Sequence, residues 1–406
     1  MKLKLKNLFV LITIFAADLI FAQNNPLQNN SLLEVSLTPF EKEIFSADEL
    51  NSIQIIKTAL EFSLCDTELQ TAKEILIQYE NLEKEVLTFF AENNFSDEQK
   101  GEYILQKIHS SVLKKYQINS TLLDDTFING NYNCVTASIL YFAVAKAAGL
   151  SVSGFETPVH AYCSVFAGGK EIQVETTNPF GFAPGTKKII EKTENSQKYT
   201  YVPKKYYSSS RKVSEKAFAS LTGKNLASLM NDKNDYQNAI PLAVKRYYFL
   251  EGDSEQKTAR SDLDVLLSNY AVMLSRQKKY ETSLGFLIDA KEKFTFTQNL
   301  QKSYDNTFYN LIAETLNEGN DEKVLAFFEK YQIHSSQKNS AYLKNLINTQ
   351  ITKKKESLYH NKVVPLFNSQ KYSEAREVLL EALKELPDSS LLKKDLSLVE
   401  RVLQNR

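Results

Sequence analysis

Residues 131–149 read NYNCVTASILYFAVAKAAG, and this stretch decides the fold of the first half of the chain. From Cys134 onward apolar and small residues occupy every helical face, interrupted by Thr136, Ser138 and Lys146. A helix apolar all round belongs in the middle of a domain rather than on its surface. Asn131, Tyr132 and Asn133 precede it with capping chemistry, and Gly149 is a natural stop. The sulfur of Cys134 is therefore expected over the first helical turn. There the open N–H groups and the helix dipole favour a thiolate and can receive an oxyanion. Cysteine is equally a small hydrophobe that opens core helices, so Cys134 by itself decides nothing.

Downstream, residues 150–176 read as short strands at Ser151–Phe155, His160–Phe166 and Glu171–Thr176, with Ala167-Gly168-Gly169-Lys170 as a hairpin turn. If Gly168 and Gly169 form a two-residue turn, opposed residue numbers sum to 337, so His160 would face Thr177 and Tyr162 would face Glu175. Strand parity then puts His160, Tyr162, Gln173, Glu175 and Thr177 on one face, and Ala161, Cys163, Ile172 and Val174 on the apolar one. Glu175 becomes a diagonal neighbour that can orient the His160 ring, completing a nucleophile, base and orienter in Cys134, His160 and Glu175. Tyr162 and Gln173 are candidate pocket residues, and packing accounts for them equally. The other histidines, His109, His334 and His360, lie in amphipathic helical patterns and read as surface residues.

Upstream, helical periodicity is expected over residues 47–62, 67–91 and 97–116, with Ser46 and Glu49 as a capping box. Residues 183–213 are rich in lysine and tyrosine, with Pro184 and Pro203, and read as an irregular wrap over the preceding domain. Thereafter the chain is helical to its end. Four similar segments recur, opening at Tyr236, Tyr280, Asp321 and Tyr372. They resemble tetratricopeptide repeats, although spacings of 44, 41 and 51 residues exceed that repeat's ~34.

The 406 residues imply two or three units, and 43% hydrophobic with 24% charged residues is an ordinary globular balance. Lys+Arg and Asp+Glu are both 49, for a net charge of +0, which argues against a nucleic-acid partner. Residues 1–22 carry three lysines and then an apolar run from Leu8 to Ala17, the pattern of a secretory signal peptide. A retained anchor is the alternative, but Asp18 leaves the run short of the ~20 residues that span a bilayer. Three cysteines, Cys65, Cys134 and Cys163, leave at least one thiol unpaired in an exported protein. A Cys65–Cys163 disulfide and two inert buried thiols both remain open. No C-x-x-C or H-x-x-x-H spacing calls for a metal, and no cofactor is expected.

NCVTASILYFAVAKAAGL, ETPVHAYCSVF and GKEIQVETTNPFGF together resemble the bacterial transglutaminase-like superfamily. The likeness covers about residues 100–183 and is strongest over 131–182. It implies a papain-like α+β domain, a buried Cys-bearing helix packed on a small antiparallel sheet, with Cys134 as nucleophile, His160 as base and Glu175 at the acid position. That acid is usually Asp in the family. Tyr132 is the candidate for its aromatic residue near the nucleophile, and Asn133 for an oxyanion donor or a cap. The expected organisation is a signal peptide (1–22), a polar leader (23–45), a transglutaminase-like domain (46–213) and an all-α tetratricopeptide-like solenoid (214–406). Two functions follow. One is an exported, periplasmic or extracellular cysteine-dependent peptidase or amidase, with transglutaminase as the lesser form; it acts on a peptide or protein substrate and uses its helical arm to bind a protein partner. The other is an inactive scaffold in which the repeats bind a protein partner without chemistry.

Overall fold

The computed structural model describes residues 32–184, 202 and 204–405; the expected signal peptide lies outside them. The described chain is mostly helical, with a small antiparallel sheet in its first part and helices alone thereafter. It divides into two compact units between Leu267 and Ser268.

The first unit opens with α1 (Pro39–Ser46), α2 (Ser52–Glu61), α3 (Gln70–Glu92) and α4 (Asp97–Ser111). The stretch expected as a polar leader thus contains a helix, because Thr38 and Glu41 form a capping box and Pro39 occupies its first turn. Ser46 ends that helix instead of opening the next, its hydroxyl bonding back to the Lys42 and Glu43 carbonyls. The next box is Asn51 with Gln54.

Then follow β1 (Lys115–Tyr116), α5 (Leu123–Asn129), β2 (Asn131–Tyr132) and α6 (Cys134–Ala147). β1 and β2 pair in parallel, with Tyr116 opposite Tyr132. Behind them come β3 (Ser151–Thr157), β4 (His160–Ala167), β5 (Lys170–Val174) and, after a 3-10 turn at Lys204–Tyr207, β6 (Arg211–Val213). The sheet runs β5-β4-β3-β6 and is antiparallel throughout. Every residue of α6 from Val135 to Ala145 is buried, and the helix packs on β3, β4, α2 and α4. The central-helix reading of residues 134–147 therefore holds, and so does the two-residue turn. Gly168 and Gly169 have φ of 58° and 76°, and Cys163↔Val174 through Ala167↔Lys170 keep the register set by that turn. The expected wrap is replaced within residues 204–213 by the 3-10 turn and by β6, which pairs with β3 at Gly154, Phe155 and Glu156.

Helices α7 (Glu215–Ala219), α8 (Leu221–Asp232) and α9 (Tyr236–Phe249) belong to this first unit. α7 packs on α2 and β3, and α8 on α2 and α6, so the unit extends well past Val213, where the sequence reading ended it. The division falls inside α10 (Gln256–Arg276).

The second unit holds α11 (Tyr280–Lys293), α12 (Gln298–Glu318), α13 (Asp321–Tyr331), α14 (Gln337–Asn368), α15 (Tyr372–Glu385) and α16 (Ser390–Gln404). Sequential neighbours pack together: α11 on α12, α12 on α13, α14 on α15 and α15 on α16. The four segments singled out by similarity each begin a helix at the expected residue, Tyr236, Tyr280, Asp321 and Tyr372. Two residues before each start stands a left-handed residue: Asn234 (58°), Lys278 (60°), Gly319 (76°) and Gln370 (62°). At Asn234, Lys278 and Gln370 paired bonds close a Schellman turn, as in Lys279 N–H to Leu274 O and Lys278 N–H to Ser275 O. The left-handed residue recurs four times among the described residues, three times with the full pair of Schellman bonds.

Candidate active site

Cys134 is the first residue of α6 and is partly exposed, whereas Cys65 and Cys163 are buried; all three are free thiols. The Asn133 side-chain oxygen accepts the N–H groups of Val135 (2.9 Å) and Thr136 (3.1 Å), and Thr136 Oγ1 accepts the Asn133 N–H. The Asn133 amide donates to the Ile118 carbonyl at 3.3 Å. Asn133 is thus the cap of α6, with its side-chain oxygen and one amide N–H engaged. Its capping leaves the N–H of Cys134 itself as the helix-terminal donor beside the sulfur.

His160 opens β4 at the two-residue turn Pro158-Val159, opposite Thr157. It is 6% exposed. Its Nε2 lies 2.8 Å from Glu175 Oε2, and its ring is close enough to the Cys134 side chain for the two to interact electrostatically. With Nε2 engaged by the carboxylate, Nδ1 is the nitrogen left for the sulfur. Burial pushes the imidazolium down, but the bonds and charges of Cys134 and Glu175 outweigh it and carry the pKa up to about 10. The ring holds its proton at neutral pH.

Glu175 reaches His160 by a different route from the one expected. The β4–β5 ladder ends at Cys163↔Val174, so His160 does not face Thr177, nor Tyr162 Glu175. Instead the chain turns back: the Glu175 N–H donates to the Gly181 carbonyl at 2.8 Å, and Val174 bridges to Phe182. Gly181 is required there because a Cβ would come within 2.0 Å of the Glu175 carbonyl oxygen. Glu175 Oε1 accepts from Thr177 N (3.1 Å) and Thr177 Oγ1 (2.6 Å). Oε2 accepts from His160 and from the Tyr207 hydroxyl. Burial alone would raise this carboxyl, but His160, Thr177 and Tyr207 together hold it below its ordinary value.

Three elements fix the turn that carries Glu175. His109 of α4 donates from Nε2 to the Thr176 carbonyl at 2.9 Å. Tyr132 of β2 donates to the Thr177 carbonyl at 3.2 Å. Ser138, one turn along α6 from Cys134, meets Thr176 Oγ1 at 2.6 Å. His109 is thus a buried structural residue rather than a surface one, and burial lowers its pKa to about 4. His360 likewise has a partner, Asp395 at 2.6 Å. Tyr132 is buried and braces the acid turn instead of lining the approach to the sulfur. Tyr116, opposite it, is close enough to Cys134 that a charge on the thiol discourages ionisation of the phenol, after burial has done most of that.

The remaining candidates lie beside the pair. Tyr162 runs nearly parallel to the His160 ring (6.3 Å, 17°), and Gln173 lies close enough to the Tyr207 hydroxyl to favour its ionised form. Cys163 is on the apolar face, as parity required, with burial raising its pKa well above the ordinary thiol. A cavity of about 160 Å³ between α8, α9 and α10, lined by Lys224, Arg246 and Asp262 among others, includes none of these residues.

Comparison with protein-family models, curated proteins and solved structures finds no match to this chain. Its reading therefore stands on geometry.

Proposed function

We propose that this chain is a cysteine-dependent amide-bond enzyme of transglutaminase-like type, with Cys134 as nucleophile, His160 as base and Glu175 as orienter. One observation carries the reading: His160 is bonded to a buried, multiply bonded Glu175 carboxylate and stands close enough to the Cys134 side chain to feel its charge. A module that only binds has no need of that arrangement.

In this reading Cys134 attacks a carboxamide carbon as a thiolate, and the oxyanion is received at the Cys134 N–H. His160, resting as imidazolium, gives its proton to the departing nitrogen, leaving a thioester. The neutral ring then takes a proton from water, which attacks the thioester, releases the acid and returns sulfur and imidazolium to the start. An amine in place of water makes the same site an acyltransferase. Glu175 stabilises the charged ring throughout, and its buried bonds keep it ionised. The peptidase or amidase reading stands first. We propose export on the strength of residues 1–22, and a partner-binding role for the helical hairpins that share the Asn234, Lys278, Gly319 and Gln370 turns.

The test is alkylation by iodoacetamide at neutral pH with peptide mapping. Cys134 is modified first, and His160→Ala abolishes its advantage over Cys65 and Cys163. Equal sluggishness of all three thiols would defeat the enzyme and leave the scaffold.

A further inference from the structure

The segment from Lys204 to Val213 reaches the site at Tyr207 and ends as the edge strand of the sheet that bears His160. Its far end is fixed twice. Arg211–Val213 pairs with β3, and Arg211 forms ion pairs with Glu156 and Glu255. Between these anchors and the site, Ser210 Oγ meets the Tyr162 hydroxyl at 2.7 Å. At its near end stands Tyr207. The Tyr207 ring meets His160 edge-on (5.6 Å, 87°) and Tyr162 likewise (5.2 Å, 77°). Its hydroxyl donates to Glu175 Oε2, the same oxygen that accepts His160 Nε2.

We propose that Tyr207 is a positioning residue of the Cys134–His160–Glu175 site: its hydroxyl keeps the Glu175 carboxylate ionised and aimed at His160, and its ring fixes the imidazole plane. The inference rests on the catalytic reading above and adds to it a fourth residue, from a separate part of the chain.

Two donors on Oε2 and two on Oε1 define the carboxylate's plane as well as its charge. Bonds to an ionised acceptor are about twice as strong as neutral ones. Each donor withdraws proton affinity from Glu175, so losing one makes the carboxyl protonate at higher pH. Burial and the Glu175 charge push the Tyr207 phenol well up, so it stays a donor across the usable range. The other groups facing Glu175 are His109 from α4, Tyr116 from β1 and Cys163 from β4. Above pH 5 or so none of these three changes charge until strongly alkaline pH, since burial drives His109 down and the others up. An acid limb that moves when Glu175 loses a donor therefore belongs to the Glu175–His160–Cys134 unit.

The experiment follows iodoacetamide alkylation of Cys134 in the full chain from about pH 3.5 to about pH 9. Wild type gives a plateau with an acid limb. Tyr207→Phe keeps the ring and is expected to move that limb up by about one pH unit, a ~10-fold loss of rate midway down it. Ser210→Ala loosens the same segment at Tyr162 and leaves the limb in place. Thr177→Val removes a donor from Oε1 and moves the limb in the same direction as Tyr207→Phe, which keeps the idea testable should the latter fail to fold. An unmoved limb in folded Tyr207→Phe overturns the inference while the Cys134–His160 reading stands. An equal shift in Ser210→Ala also overturns it, because the effect would then belong to the segment's anchorage. Wild-type Cys134 that reacts without dependence on His160 removes the catalytic reading and this inference with it.

Discussion

Replacing Glu175 by Gln tests the site at its most constrained atom pair. Four donors converge on the carboxylate, two on each oxygen. A carboxamide offers one accepting oxygen and one NH2 group, so either orientation sets a donor against donors. With NH2 toward Thr177, the backbone N–H at Oε1 has nowhere to turn. With NH2 toward His160, the ring can relieve the conflict only by giving up its Nε2 proton. Both outcomes disfavour the imidazolium. One or two bonds to a charged acceptor are lost at ~1.5–3 kcal/mol each and rearrangement recovers part of the larger sum, so the charged ring is destabilised by roughly 2–4 kcal/mol. That lowers the population of the charged pair about 30- to 1000-fold. The assay is the alkylation rate of Cys134 at neutral pH by peptide mapping, with thermal unfolding alongside to establish that the variant is folded. A folded Glu175→Gln protein whose Cys134 reacts within about threefold of wild type would show that Glu175 is packing, not machinery.

Glu175→Asp keeps the charge but withdraws it by one methylene from donors now at 2.6–3.1 Å, so a loss of roughly tenfold in Cys134 reactivity is expected, smaller than for Gln. Gly181→Ala places a Cβ 2.0 Å from the Glu175 carbonyl oxygen, and should cost about 1–3 kcal/mol by chemical denaturation and lower reactivity in step. For His109 the folded pKa of about 4 is below the ordinary 6.5, so the unfolded chain takes up the proton first and stability is lost as pH falls from 6.5 toward 4. His109→Gln should flatten that limb of the stability–pH curve; a curve unchanged in this window would refute the assignment. Lys278→Gly and Gln370→Gly relieve left-handed side chains and should each stabilise by about 0.5–1 kcal/mol in thermal melts, with Asn234→Gly nearer neutral.

The parts legible in the sequence are those governed by local rules. The composition of residues 134–147 required a buried helix, and two adjacent glycines with room for positive φ set the β4–β5 register. The helix starts at Tyr236, Tyr280, Asp321 and Tyr372 were visible because the segment recurs. What escaped depends on contacts distant in sequence. Tyr207 meets Glu175 from 32 residues away, across a stretch with no periodicity. His109 had a signal that was passed over: it follows Leu105 by four residues, and so falls on the buried face formed by Gly101, Ile104, Leu105 and Ile108. Asn133 was legible as a cap from its place before Cys134, and its side-chain oxygen does receive the Val135 and Thr136 N–H groups.

The route by which Glu175 arrives bears on how secure the acid position is. A strand residue is held by its ladder, and a slip of one would turn its side chain to the other face. Glu175 has left the ladder, and its placement rests on a turn whose carbonyls are bonded by His109 and Tyr132 and whose Thr176 hydroxyl meets Ser138. Each tether comes from a different element: α4, β2 and the Cys-bearing helix itself. Ser138 lies one turn from Cys134 on α6, so the helix that sets the sulfur also sets the loop carrying the acid. The longer Glu side chain suits this arrangement. It starts from a backbone tied back to Gly181, yet spans to His160 while Thr177 holds its other oxygen. The geometry thus keeps the Glu175 charge beside the ring from a backbone position off the ladder.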